Sequence, residues 1–251
     1  MSGKRPFVLS IAGFDPSAGA GVLADVKTFE QHNVYGLAIC TGLTLQTENE
    51  FRSVEWRKLE DVTNEIKIIL KKYPVKAVKF GIVPSLEFLN KLILEIKKIN
   101  SEIFIVVDPI LKSSTGFEFN AVKEKTSLEE LLKNVSVFTP NYDELKLLAN
   151  GSGVQSSLKS FSKHSSVLLK GGHHLEKQGT DVLYCEDEVK EISPLHKKIF
   201  PKHGSGCVLS AAITSNLALG FSIEESCIKA KQYTENFLLS NQTLLGYHYT
   251  L

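Results

Sequence analysis

FVLSIAGFDPSAGAG, residues 7–21, is the stretch from which the fold is read. FVLSI (7–11) is a short, nearly continuous apolar run, as a strand covered on both faces requires. AGFDPSAGAG (12–21), which follows it, is turn chemistry: glycines, a proline and an aspartate. The same succession recurs along the chain. AVKF (77–80) runs into GIVPS, IFIVV (103–107) into DPILKSSTG, VSVFT (135–139) into PNYDE and SVLLK (166–170) into GGHH. Helical periods lie between them: Leu86, Leu89, Leu92, Ile93 and Ile96 repeat at three and four, with Ser85 placed to cap and Lys97 and Lys98 in the last turn. Glu129 to Leu132, Asp143 to Leu148, Val208 to Leu219 and Ile223 to Leu239 read the same way. Alternating strands and helices predict an α/β fold with a mainly parallel central sheet and helices on both faces. TDVLY (180–184) and VKEIS (189–193), around the acidic turn CEDE, predict a hairpin added late. No repeat or linker divides the chain, so residues 1–251 are expected to form one domain.

Composition narrows the function. With 251 residues, 43% hydrophobic and 23% charged, the chain builds a large core. Its formal net charge of +1 leaves no global field to recruit nucleic acid or an anionic membrane, so any phosphate ligand must be held locally. Cys40, Cys185, Cys207 and Cys227 lie far apart with no C-x-x-C pair, against a zinc knuckle or a disulfide scaffold. Phe7 to Ala12 is short for a signal-peptide core and no apolar run has transmembrane length, so a cytoplasmic location is expected. The fingerprints G-x-x-x-x-G-K-[ST], G-x-G-x-x-G after the first strand and G-x-S-x-G are absent. Their absence disfavours a P-loop kinase, a dinucleotide dehydrogenase and a serine hydrolase.

In open α/β sheets ligands sit at the carboxyl ends of the strands, where the turn residues collect here. One further turn, KHGSGCVLSAA (202–212), opens a segment expected to be an amphipathic helix. The first amides of a helix have no internal partners and point outward, and glycines let an anion approach them. Cys207 in that first turn has two readings: a thiol whose anion the helix field favours, or a small buried hydrophobe at a tight helix start.

H-G-S-G-C with LSAAI, together with AGFDPSAGAG, ADVKTF, FGIV, VDPIL, TPNYDE and LLKGGHH, resembles the hydroxymethylpyrimidine/phosphomethylpyrimidine kinases of thiamine biosynthesis, in the ribokinase superfamily. The resemblance runs from Ile11 to about Gly220 in order and spacing. It implies a ribokinase-like three-layer α/β/α fold, ATP and Mg²⁺ as cofactors, a small pyrimidine alcohol as substrate and a homodimer. Carried over by position, it implies that the amides of Gly204, Ser205, Gly206 and Cys207 hold the transferred phosphoryl group while Cys207 takes the substrate proton. Asp108 and Glu144 are implied as the magnesium carboxylates, and Asn141 and Lys170 as nucleotide-side groups. Gln46 is implied to pair with the aminopyrimidine, alongside Gly13, Asp25, Gly81 and Ile82. Structural readings stand beside these: Glu144 as a helix-start carboxylate, Lys170 as a snorkelling strand-end lysine and Asp25 as a helix residue holding the loop 13–21.

The chain departs from the family pattern in places. Lys202 stands where threonine is common and adds a charge beside the phosphate turn, where it is expected with Asn141 and Lys170 on the nucleotide side. Ser205 replaces threonine, Ala18 replaces a glycine, and A-Q-N-T is LQTE. A pyridoxal or pyridoxine kinase of the same family is the alternative substrate reading. A ligand-binding module without turnover is the alternative class.

Overall fold

The structure, a computed structural model, describes residues 5–110, 125–149, 151–173, 179–186 and 188–249. In chain order the elements are β1 (Phe7–Phe14), α1 (Gly21–Gln31), β2 (Tyr35–Gln46), β3 (Phe51–Trp56), α2 (Leu59–Lys72), β4 (Val75–Phe80), α3 (Leu86–Ile99), β5 (Phe104–Val107), α4 (Lys125–Leu132), β6 (Val137–Phe138), α5 (Tyr142–Leu148), α6 (Val154–Phe161), β7 (Ser166–Leu169), β8 (Asp181–Cys185), β9 (Glu188–Ile192), α7 (Ser205–Ala218) and α8 (Ile223–Leu239). Residues 111–116 of DPILKSSTG, His174 of GGHH and Asp187 of the acidic turn lie outside the described residues.

The strands form one sheet in the order β3-β2-β1-β4-β5-β6-β7-β8-β9. From β2 across to β7 all neighbours are parallel. The expected late hairpin is present as antiparallel β8 and β9 at one edge. A second antiparallel strand, β3 beside β2 at the opposite edge, was not signalled by the sequence.

The continuous apolar runs are explained by burial on both faces. Ile105 and Val107 of β5 join a core with Val62 and Ile66 of α2, Leu92 and Ile96 of α3 and Phe161 of α6. Val106, between them, faces the opposite way into a core with Val208 and Ile213 of α7 and Ala230 of α8. Helices therefore cover both faces, the three-layer α/β/α arrangement. α3 starts as its sequence predicts, with the Ser85 hydroxyl accepting from Phe88 N–H, and its buried stripe contributes about 1.5–3 kcal/mol per large side chain.

One expectation is corrected. α7 is not amphipathic: every residue from Cys207 to Leu217 is buried, because the helix lies between the sheet and α1 and α8. Its hydroxyls are satisfied internally, with Thr214 donating to Ser210 O at 2.8 Å and Ser215 to Ala211 O at 3.0 Å. A helix this enclosed has a fixed N-terminus. It is anchored at the ends of β1, β4 and β5, where the strand order reverses between β1 and β4 as the chain crosses from β3 through α2 to β4.

Candidate active site

A cavity of about 460 Å³ opens at those strand ends. It gathers all the residues singled out in the sequence except Asp25. Gly13 after β1, Gln46 closing β2, and Gly81 and Ile82 after β4 line one part. Asp108, Asn141, Glu144 and Lys170 line another, and Lys202 with the turn from Gly204 to Cys207 closes it. A second cavity of about 420 Å³ shares Asn141, Lys170, Ser205 and Gly206 with the first. The turn that opens α7 thus stands between two chambers.

Backbone geometry builds that turn. Gly204 caps α7 with φ +76°, and a Cβ there would sit 2.0 Å from Gly19 O. Only glycine meets both the left-handed backbone and the close approach. Gly204→Ala is therefore expected to displace the turn and cut turnover at least about tenfold, checked by kcat and by the melting temperature. Gly21, φ +60°, makes a second close approach at the start of α1, with Gly13 O 2.2 Å from its ideal Cβ position. Between these glycines, Asp15 organises the loop: its carboxylate accepts from Ser17 N–H at 2.9 Å and Ala20 N–H at 2.8 Å. His203 Nε2 lies 2.9 Å from Asp15 Oδ2 and joins that loop to the phosphate turn. Burial alone would raise the Asp15 pKa, but His203, Ser17 and the Ala20 amide hold it below the usual carboxylate value. Ala18 adopts a left-handed φ of 56°, which accounts for the glycine common at that position.

The charged end is a tight cluster. Lys170 Nζ lies 2.7 Å from Asp108 Oδ1 and 3.6 Å from Glu144 Oε2. A methyl on Gly206 would stand 3.5 Å from both Asp108 Oδ2 and Lys170 Nζ, so the turn lies beside this pair with room for no more than a methyl between them. Burial would lower the Lys170 pKa, yet Asp108 and Glu144 outweigh it and hold the ammonium charged. Asn141 and Glu144 form a capping box on α5, Asn141 N–H to Glu144 Oε2 at 2.7 Å and Glu144 N–H to Asn141 Oδ1 at 2.8 Å. The structural reading of this motif is therefore true, and it fixes the carboxylate that also faces Lys170. Among the described residues no group of three or more His, Cys, Asp or Glu side chains forms a metal cluster.

Cys207 is 6% exposed. Burial pushes its thiol up to about 11, opposed by Lys79 and the Gly21 amide and reinforced by Asp25 and Asp108. Asp25 does not line the cavity; it lies beneath it, fully buried, with both carboxylate oxygens on Lys79 Nζ at 2.9 and 2.8 Å and the Ser10 hydroxyl donating at 2.5 Å. Burial would lower the Lys79 pKa, but Asp25 beside it holds the ammonium well above its ordinary value. Lys79 was not singled out in the sequence; its only signal was a lysine inside the otherwise apolar run AVKF.

The second cavity was also missed. Lys231 Nζ donates to Gly179 O at 2.5 Å and to Asp181 Oδ2 at 3.0 Å, and Glu235 Oε1 lies 3.7 Å away. Lys231 and Glu235 are an i,i+4 pair on α8, and both are buried.

The comparisons agree with this architecture. The family model described as phosphomethylpyrimidine kinase matches residues 15–250. The hydroxymethylpyrimidine/phosphomethylpyrimidine kinase of Aquifex aeolicus is 34% identical over 257 residues, 97% of this chain and 98% of that one. Among solved structures, the phosphomethylpyrimidine kinase from Clostridium difficile 630 superposes with a TM-score of 0.75 at 30% identity, over 92% of this chain and 98% of that one. The pyridoxal kinase from Staphylococcus aureus in complex with AMP-PCP and pyridoxal gives 0.81 at 26% identity, over 95% and 89%. A match that begins at the aspartate organising the first turn and runs to the C-terminal segment, on a fold shared with a solved member, makes this chain a member of the phosphomethylpyrimidine kinase family.

Proposed function

We propose that this chain is a cytoplasmic, homodimeric kinase, built as one domain. It transfers the γ-phosphoryl group of ATP first to the hydroxymethyl group of 4-amino-5-hydroxymethyl-2-methylpyrimidine and then to the phosphate so formed. The observation that carries the reading is the fixed N-terminus of α7 between two chambers, the first lined by the Cys207 thiol and by the Lys170, Asp108 and Glu144 cluster, the second sharing Lys170, Ser205 and Gly206 with it.

In this reading the first cavity takes the acceptor. The carboxamide of Gln46 offers a donor and an acceptor to the aminopyrimidine edge, and Gly13 and Ile82 pack against the ring. The second cavity takes the nucleotide, whose terminal phosphates reach the wall of Lys170, Ser205 and Gly206 that both cavities share, with the amides of Gly204 to Cys207 around them. Cys207 accepts the hydroxymethyl proton as the oxygen attacks. Two buried carboxylates around one ammonium mark a place that already holds positive charge. Hard oxygen donors suit Mg²⁺, which needs few protein ligands and keeps several waters. Asp108 and Glu144 would hold it; bound, it screens the charge of the polyphosphate. Exposed Leu43 and Leu45 on the β2–β3 ribbon support the homodimer.

Purified protein with ATP, Mg²⁺ and either the pyrimidine alcohol or pyridoxal, followed by ADP release, tests this. Turnover is expected with the pyrimidine at a higher kcat/KM than with pyridoxal. A preference for pyridoxal would move the chain to the second reading, which its likeness to the Staphylococcus aureus pyridoxal kinase favours. No turnover of either would leave a binding module.

A further inference from the structure

Buried lysines in this protein keep a carboxylate partner, with one exception among the described residues. Lys79 has Asp25, Lys231 has Asp181, and the nearly buried Lys170 has Asp108 and Glu144. Lys202 is 7% exposed, and its ammonium donates to a neutral group, Asn241 O, at 2.6 Å, with the Phe200 ring centroid 5.6 Å away. Covered charges without a counter-charge are costly, and burial accordingly pulls the Lys202 pKa down with no anion to oppose it. Among the described residues no carboxylate completes this site, and the anion of a bound ligand would. Lys202 lines the first cavity together with Gln46 and Cys207, and it does not line the second.

We infer that Lys202 is the counter-charge for a phosphomonoester acceptor in the first cavity, and so a determinant of the second of the two transfers; this rests on the function proposed above. The two transfers make different demands. When the acceptor is an alcohol, an O–P bond forms, the bond from the γ-phosphorus to the β–γ bridging oxygen breaks, ADP leaves, and the hydroxyl proton passes to a base. When the acceptor is a phosphomonoester dianion, the same bonds form and break but no hydroxyl proton has to be removed. The difficulty becomes bringing a second anion up to the γ-phosphate, against like-charge repulsion. Cys207 serves the first demand and cannot serve the second. Lys202, two residues before the α7 cap, serves the second.

The test compares kcat/KM for the pyrimidine alcohol and for its monophosphate, at pH 8, in the wild type, Lys202→Gln and Lys202→Arg. Gln keeps a donor toward the Asn241 carbonyl and removes the charge; Lys202→Met, which keeps the aliphatic stem over Phe200, replaces it if that variant does not fold. The ratio of monophosphate to alcohol efficiency is expected to fall about tenfold or more without the charge, the scale of a charge-assisted hydrogen bond, and to recover in Lys202→Arg. An equal loss on both acceptors with a lowered melting temperature would reduce Lys202 to a clasp on the C-terminal segment. A raised KM for ATP with both acceptors would assign it to the nucleotide instead. Wild-type protein that phosphorylates the alcohol but never the monophosphate overturns this inference alone, whereas failure with the alcohol overturns the kinase reading itself.

Discussion

Cys207→Ala is expected to lower kcat with the alcohol acceptor by about 10²-fold or more, the contribution of a positioned base, while KM for ATP changes little. The thiol is buried and its pKa stands at about 11, so the resting group at neutral pH is protonated. A base must be deprotonated to act, so activity rises with pH. For the wild type, log kcat/KM should climb by about one unit per pH unit through the neutral range and level off only as the thiol titrates. The alanine variant should lose that slope together with the rate. With the monophosphate acceptor the same substitution should cost much less, because there is no hydroxyl proton to take. Near wild-type turnover of the alcohol in Cys207→Ala would return the residue to the role of a packed thiol at an enclosed helix start.

The parallel core and the strand-end loops were legible because their signals are local. Ser85, Lys97 and Lys98 state both ends of α3, and Ile223 to Leu239 bounds α8 to the residue. What escaped was set by tertiary context. In FRSVEW no residue is fully buried, so β3 has no apolar face for a pattern to show. In α2 the buried positions are Val62 and Ile66 among charged neighbours, a stripe too narrow to separate from a solvated helix. The site was legible where glycine, proline and carboxylate cluster after a strand, as at Asp108, Asn141 and Glu144. It was illegible where a charged residue serves from inside an apolar element. Lys79, Asp181, Lys231 and Glu235 each sit on a strand or helix and meet partners far along the chain, Glu235 through the amides of Leu195 and His196, and no spacing rule reaches such partners. Sequence also could not divide the site into two cavities, of which Lys202 lines the first and not the second.

Lys79→Met should have the largest effect on stability. It leaves Asp25 fully buried with only the Ser10 hydroxyl, and breaking a buried pair from one side costs about 3–5 kcal/mol. For a chain of this size the melting temperature should fall by roughly 10 °C. The double variant Lys79→Met with Asp25→Asn removes both charges and keeps an acceptor for Ser10, so most of the stability should return. The chemistry should not return with it. Lys79 is the largest influence opposing the upward shift of the Cys207 thiol, ahead of the reinforcing Asp25, so losing both charges still moves the thiol higher. At a fixed pH near 8 fewer molecules then carry the thiolate, and the alkaline limb of kcat/KM with the alcohol moves to higher pH in the double variant as in the single one. Circular dichroism melts and pH–rate profiles on the same preparations separate the two effects. If the double variant regained both its melting temperature and its wild-type profile, the pair would be a strut beneath the cavity. If stability returns and the profile stays displaced, the same ion pair that holds α1 to the sheet also sets the proton affinity of the base above it.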